Sequence, residues 1–289
     1  MSDFKRQFQN YQQAIDKAIA DNYPSVDSLV AKAGLYSLQA GGKRLRPMLF
    51  VAFYQALSEK EMTAELLQMA VSLEYAHTAS LIHDDLPAID NDDLRRGVPT
   101  CHRQFNEATA LMAGDYLLNL SLVNLLQCRQ PQLALILGQC INELLFGEQL
   151  DILGEKQQYQ REQLLLTFTQ KTASMFTASL QMAAVLARQD EQKTIKQCRE
   201  LAVDLGLAFQ IQDDVLDVVG QTDKLGKTIG SDEQAGKSTW VRLVGLEQAQ
   251  ADYQVYYQRV YDRFSKLLPD NQYRQFLLSL LEYLAKRDH

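Results

Sequence analysis

The chain has 289 residues with 36 acidic against 29 Lys and Arg, a formal net charge of −7, and it lacks the concentrated basic run that nucleic-acid binding requires. An apolar share of 46% supports a sizeable core, but a mean hydropathy of −0.24 without an uninterrupted apolar run of about twenty residues argues against a membrane span. Four cysteines, Cys101, Cys128, Cys140 and Cys198, show neither CxxC spacing nor an even ladder, so neither a zinc site nor a disulfide framework is indicated.

The polar start MSDFKRQFQNYQQ has no secretory-signal apolar region, which makes a cytoplasmic protein the expectation. No stretch has linker composition, and residues 1–289 read as one domain. Leucine, alanine and glutamine dominate between sparse glycines and prolines, the composition of an all-α fold. Apolar residues at three- and four-residue spacing predict helices over about 3–20, 25–40, 46–58, 63–83, 107–128, 131–153, 161–188, 190–219, 239–264 and 271–286.

Between the second and third of these stands GGKRLRP, where Gly41 and Gly42 end one helix and Pro47 suits the first turn of the next. A helix start with free amides, flanked by Lys43 and Arg46, can cradle a phosphate, though the same residues could equally form a solvated basic turn. The fourth helix runs into LIHDDLPAIDNDDLRRG, five acids within ten residues followed by two arginines. Carboxylates at a helix C-terminus oppose the macrodipole, so a cation is expected beside Asp84 and Asp85. His77, seven residues earlier, projects to nearly the same side. A solvated turn is the plain alternative, but the helix before it is apolar, and Pro87 forces a break that turns Asp90 back toward Asp84.

In the eighth helix Gln210, Asp213, Asp214 and Asp217 repeat the pattern on one helical face. Oxygen donors without histidine or thiolate suit a hard ion, Mg²⁺ first, with Mn²⁺ able to substitute. Two such helix ends meeting across a cavity would hold metal and an anionic ligand. Gln170-Lys171-Thr172 interrupts the seventh helix, where a threonine bonding back to the preceding turn can bend the chain and aim a carbonyl into a cavity. The glycine-rich stretch from Gly220 to Gly236, with Lys224 and Lys227 and then Lys237, reads as a cationic flap or a long surface loop.

Together GGKRLRP, SLIHDDLPAIDNDDLRRG, LMAGD, QKT, FQIQDDVLD and LGK followed by GKST resemble, in order, the successive motifs of the all-trans polyprenyl diphosphate synthases, bacterial farnesyl diphosphate synthases in particular. The resemblance spans nearly the whole chain. It implies a helical bundle around a deep cavity, a homodimer, and Mg²⁺-dependent head-to-tail condensation of isopentenyl diphosphate with dimethylallyl, geranyl or farnesyl diphosphate. By the same resemblance Asp84, Asp85, Asp90, Asp213, Asp214 and Asp217 would hold the metal against the allylic diphosphate. Arg95, Lys171, Lys227 and Lys237 would contact that diphosphate, and Lys43, Arg46, His77 and Arg96 would bind isopentenyl diphosphate. Thr172 and Gln210 would face the allylic carbon as it becomes positive.

Ala79, five residues before Asp84, departs from the aromatic usual in bacterial farnesyl synthases and resembles geranylgeranyl synthases. One helical turn, roughly 5.4 Å, is comparable to one isoprene unit, so Tyr75 could form a floor one turn deeper and permit a further condensation. A class I terpene cyclase would share the fold, but DDVLD and GGKRLRP argue against it. A non-catalytic subunit would tend to lack one acid cluster, and both are present.

Overall fold

The computed structural model describes residues 2–155, 157–219 and 237–286. These fall into two compact units, Met1–Val51 with Glu61–Gly138, and Ala52–Lys60 with Gln139–His289. Helices dominate both, and the all-α expectation holds.

The first unit contains α1 (Ser2–Asn22), α2 (Leu29–Gln39), the opening turns of α3 (Leu45–Ser58), α4 (Ala64–Asp84), β1 (Leu94–Arg95), β2 (Val98–Pro99), α5 (Cys101–Gln104), α6 (Glu107–Gln127) and the opening turns of α7 (Pro131–Gly154). Helix α4 is its axis. Thr63 caps it by accepting the Leu66 amide at 3.1 Å. Its residues are apolar on almost every side, and Leu66, Met69, Val71, Leu73, Tyr75, Ala79 and Ile82 are all buried, as expected of a helix enclosed by others. It packs on α6, α1 and α2. Asn124 of α6 ties it in place, donating to the Ser72 hydroxyl at 2.8 Å and the Gln68 carbonyl at 2.7 Å. At the far end Gly114 lets α6 approach so closely that a Cβ there would lie 2.1 Å from the His83 ring.

Among the described residues α6 is the one helix long and apolar enough to cross a membrane, yet half of its most apolar window is buried within the protein. Its outer side exposes Leu111, Met112 and Leu126.

The second unit holds the rest of α3 and α7, then α8 (Arg161–Phe168), a π-helical turn (Thr169–Ala173), α9 (Ser174–Leu186), α10 (Gln192–Val219), α11 (Trp240–Val244), α12 (Leu246–Leu267) and α13 (Gln272–Ala285). Here α10 is the axis, packed on α12, α9 and the π turn. Its Leu207, Ile211 and Val215, spaced by four, join Tyr159, Leu164, Phe168, Trp240 and Ala249 in one apolar cluster.

The helices follow the predicted ranges with instructive exceptions. The single helix expected over 161–188 contains the π turn, and that expected over 239–264 breaks at Gly245, whose φ of +85° is open to glycine at little cost. The β-hairpin and α5 have no counterpart in the sequence reading.

Candidate active site

The acids at the end of α4 are arranged by a tight reversal. The Asp85 amide still donates to Leu81 O at 3.1 Å, after which Leu86 N bonds His83 O and Asp90 N bonds Asp84 O at 2.8 Å. Pro87 thus does break the helix, and the chain folds back so that Asp90 starts beside the end of α4. Asp84 and Asp90 are both half-exposed.

Asp85 lies one residue further round the helix and points inward, 3% exposed. It accepts from Arg95 through Nε at 2.9 Å and again through Nη2, and Arg95 also reaches Asp92 at 3.1 Å. Burial pushes the Asp85 carboxyl up to about 6 even though Arg95 pulls the other way.

Arg95 and Arg96 are delivered by the hairpin. Leu94 pairs with Pro99 and Arg95 with Val98, leaving Arg96-Gly97 as a two-residue turn with φ of +55° and +80°, the left-handed pair that suits strand twist. Arg95 therefore leaves from a strand and Arg96 from the turn. Arg96 crosses to the basic junction and donates to Gly41 O. Glycine suits position 42, whose φ of +127° strains any side chain, and Arg96 lies over it, its guanidinium carbon 2.6 Å from where a Cβ would be.

At that junction Arg46 Nη1 lies 3.1 Å from His77 Nε2. Burial and the charges of Arg46, Arg96, Arg95 and Arg44 hold the His77 imidazole well below its ordinary pKa. His77 is thus neutral at pH 7, so Nε2 can accept from Arg46. Arg46, His77, Arg95 and Arg96, all predicted from sequence, come together in this unit, with Lys43 three residues before Arg46. Tyr75 and Ala79 are fully buried below them, Tyr75 edge-on to Tyr23 at 6.0 Å. Ala79 presents no accessible surface, whereas its neighbour Ser80 is half-exposed.

In the second unit the π turn is the organising feature. Two glycines let helices press against it: a Cβ on Gly147 of α7 would lie 2.1 Å from Lys171 N, and one on Gly206 of α10 would lie 2.4 Å from Ala173 Cβ. The interruption predicted at Gln170-Lys171-Thr172 is therefore real, but the hydroxyl of Thr172 does not bond back to the preceding turn. It donates to Gln210 Oε1 at 2.7 Å. Gln210 Nε2 in turn donates to Asp214 Oδ1 at 3.2 Å, and Asp214 Oδ2 accepts the Trp240 amide at 2.7 Å. Asp214 is 4% exposed and joins α10 to the start of α11, while Asp213 is half-exposed and Asp217 buried.

Lys171 is held by two acids absent from the sequence reading. Its Nζ lies 2.9 Å from Glu148 and 2.6 Å from Asp151, and Lys237 stands 3.7 Å from Asp151. Asp151 is half-buried, which by itself would raise its carboxyl, yet Lys171 and Lys237 hold it below the usual range. The signal in the sequence is GEQLD, a Glu-Asp pair on one helical face next to the glycine that meets the π turn. Lys227 lies outside the described residues.

Three aspartates expected among the metal ligands are thus turned inward, Asp85 in the first cluster and Asp214 and Asp217 in the second. The physical reason is the same in both places: neighbouring residues on a helix point about 100° apart, so an adjacent pair cannot face one ion. Among the described residues no three His, Cys, Asp or Glu side chains converge closely enough to hold an ion. In the second unit Asp213 is the outward carboxylate of its pair; in the first, the outward Asp84 and Asp90 offer only oxygen, and the fold-back that joins them concentrates negative charge at a helix end. That donor set fits a hard divalent cation.

The chain matches the Polyprenyl synthetase family over residues 27–268. It belongs to that family. The polyprenyl synthetase chain is 35% identical to the farnesyl diphosphate synthase of Haemophilus influenzae over 99% of both sequences. It is 36% identical to geranylgeranyl pyrophosphate synthase 3 of Arabidopsis thaliana over 86% of this chain and 72% of that protein. Its fold matches a Helicobacter pylori geranyltransferase, crystallised with magnesium and isoprenyl diphosphate, with a TM-score of 0.84 and 28% identity over 98% of this chain and 97% of that one.

Proposed function

We infer that this polyprenyl synthetase is a prenyltransferase that joins isopentenyl diphosphate head to tail to dimethylallyl, geranyl and farnesyl diphosphates, releasing diphosphate. The observation that carries the reading is the presence of two charged clusters of opposite sign in one unit. An acidic one at Asp84 and Asp90 needs a cation to bind a phosphate, and a basic one at Lys43, Arg46, His77 and Arg96 does not. A cyclase acting on one diphosphate has no use for the second.

In this reading the outward Asp84, Asp90 and Asp213 hold divalent ions, Mg²⁺ in the first instance and Mn²⁺ as a substitute. When bound, these ions would neutralise the departing allylic diphosphate. Arg95, Lys171, Lys227 and Lys237 add cationic donors to the same group. Glu148 and Asp151 keep Lys171 extended and charged until the anion arrives. The Thr172 hydroxyl fixes the Gln210 amide, so two oxygen dipoles are preorganised toward the carbon that becomes positive. The basic junction holds isopentenyl diphosphate with its double bond oriented for attack, and orientation supplies much of the remaining acceleration. The allylic carbon–oxygen bond breaks with its electron pair leaving on diphosphate, the double bond of isopentenyl diphosphate then attacks the allylic cation to form the new carbon–carbon bond, and loss of a proton, accepted by the released diphosphate, completes the step.

With alanine at position 79, Tyr75 is the next aromatic on that side of α4, so farnesyl diphosphate is extended to geranylgeranyl diphosphate as a further product. The tail reaches Tyr75 only by displacing packed side chains, since Ala79 is covered. The reading includes a homodimer and places the enzyme in the cytoplasm. Incubation with isopentenyl diphosphate, Mg²⁺ and each allylic primer, followed by chain-length chromatography, tests the reaction. Linear products one or two units longer than the primer are expected. A cyclised hydrocarbon would make the chain a cyclase, and no turnover with any primer would make it a non-catalytic subunit. Clean arrest at fifteen carbons, unchanged by Ala79→Tyr, would remove the chain-length assignment alone.

A further inference from the structure

The arginine between the two cations of the basic junction has no place in the binding set, yet it is the most heavily bonded residue there. Arg44 immediately precedes α3, and its carbonyl accepts the Met48 amide at 3.0 Å. Its φ is +52°, a left-handed conformation unfavourable for a non-glycine residue. Gly41 and Gly42 on the same turn have φ of +88° and +127°. A segment with three left-handed residues in four has little intrinsic preference for its shape, so its shape has to come from side chains.

Arg44 supplies most of them. Its guanidinium is buried and forks three ways: Nε donates to Asp16 Oδ1 at 2.8 Å, Nη1 to Glu74 Oε1 at 2.7 Å, and Nη2 to Leu38 O at 2.6 Å. It thereby links the junction to α1, α4 and the end of α2. Gln12 of α1 adds a bond to Gly42 O at 2.8 Å.

The acceptor on α4 matters most. Glu74 is 1% exposed, and a buried ion pair of this kind is poor evidence of net stabilisation, since desolvation offsets most of the attraction. What it does determine is geometry. Glu74 and His77 are three residues apart and share a face of α4. Glu74 takes Arg44, and His77 takes Arg46 at 3.1 Å. Two successive turns of α4 thus register two arginines two positions apart, and Lys43 is fixed beside them by the backbone.

We propose that Arg44, seated on Glu74 and Asp16, is a positioning residue that sets Lys43 and Arg46 in the spacing needed to bind the isopentenyl diphosphate, without touching that substrate. This rests on the assignment of the junction to isopentenyl diphosphate. The test uses the full-length enzyme and compares the KM for isopentenyl diphosphate with that for geranyl diphosphate in Arg44→Lys and in Asp16→Asn. Lysine keeps the charge but cannot fork three ways. Asn at the half-exposed position 16 weakens one branch with little risk to folding.

For Arg44→Lys the KM for isopentenyl diphosphate should rise about tenfold or more, and for Asp16→Asn about two- to fourfold, with the KM for geranyl diphosphate unchanged, the pattern of lost binding at one site. A lower melting temperature with both KM values unchanged, or an equal rise in both, would overturn the proposal. If Arg44→Lys does not fold, an unchanged isopentenyl diphosphate KM in Asp16→Asn overturns it alone. A wild-type enzyme that consumes no isopentenyl diphosphate would instead refute the parent assignment.

Discussion

In the first acid cluster the inward aspartate, Asp85, meets a side chain, Arg95, whereas in the second one of two inward aspartates, Asp214, meets a backbone amide, that of Trp240. The difference follows from where each pair sits. Asp84 and Asp85 are at the end of α4, where the chain reverses and a hairpin can bring an arginine against the buried carboxylate. Asp213 and Asp214 lie inside α10, and there the buried member is satisfied by the first amide of the next helix. In both, one acid of an adjacent pair organises the fold and the other is left outward. A doubled aspartate is therefore two residues with two functions, and the first cluster can be re-paired by moving a side chain while the second cannot be without moving α11.

That contrast can be broken most sharply at the outward acids. Asp84→Asn should lower kcat about 10²-fold or more with little change in melting temperature, because a ligand to a charge-neutralising ion is lost and no buried group is exposed. Next in size is the packing around the π turn. Gly206→Ala places a Cβ 2.4 Å from Ala173 Cβ, among helices with no room to retreat, and should cost about 2–3 kcal/mol in chemical denaturation. An unchanged midpoint would show that the turn is not clamped.

Asp214→Ala leaves the buried Trp240 amide unsatisfied, which should cost about 1–3 kcal/mol of stability, visible as a lower melting temperature. The smallest effect concerns His77. Its folded pKa lies below the unfolded value of about 6.5, so the unfolded chain takes up a proton that the folded chain refuses, and stability is lost as pH falls below that value. Thermal melts from pH 7.5 downward should show this loss, and His77→Gln should flatten it.

Much of this was legible in the sequence. The helices are, because their apolar spacing is strong, and so are the outward carboxylates, because acids at the end of an apolar helix demand a cation. Periodicity places a residue on a face but does not say what that face meets. The orientation of Asp85 depends on a hairpin whose strands are two residues each, too short to show alternation. Glu148 and Asp151 look like solvent-facing helix acids until the π turn brings Lys171 to them, and Arg44 is indistinguishable in sequence from its neighbours Lys43 and Arg46. Only burial separates Arg44 from Lys43 and Arg46.

The division between outward and inward acids is tested most directly by the Mg²⁺ dependence of turnover in Asp213→Asn and Asp214→Asn, adjacent residues carrying the same substitution. Asp213→Asn should raise the Mg²⁺ concentration for half-maximal rate by about tenfold or more, while Asp214→Asn should leave it unchanged and lower the melting temperature. Equal shifts in Mg²⁺ requirement for the two variants would contradict the division.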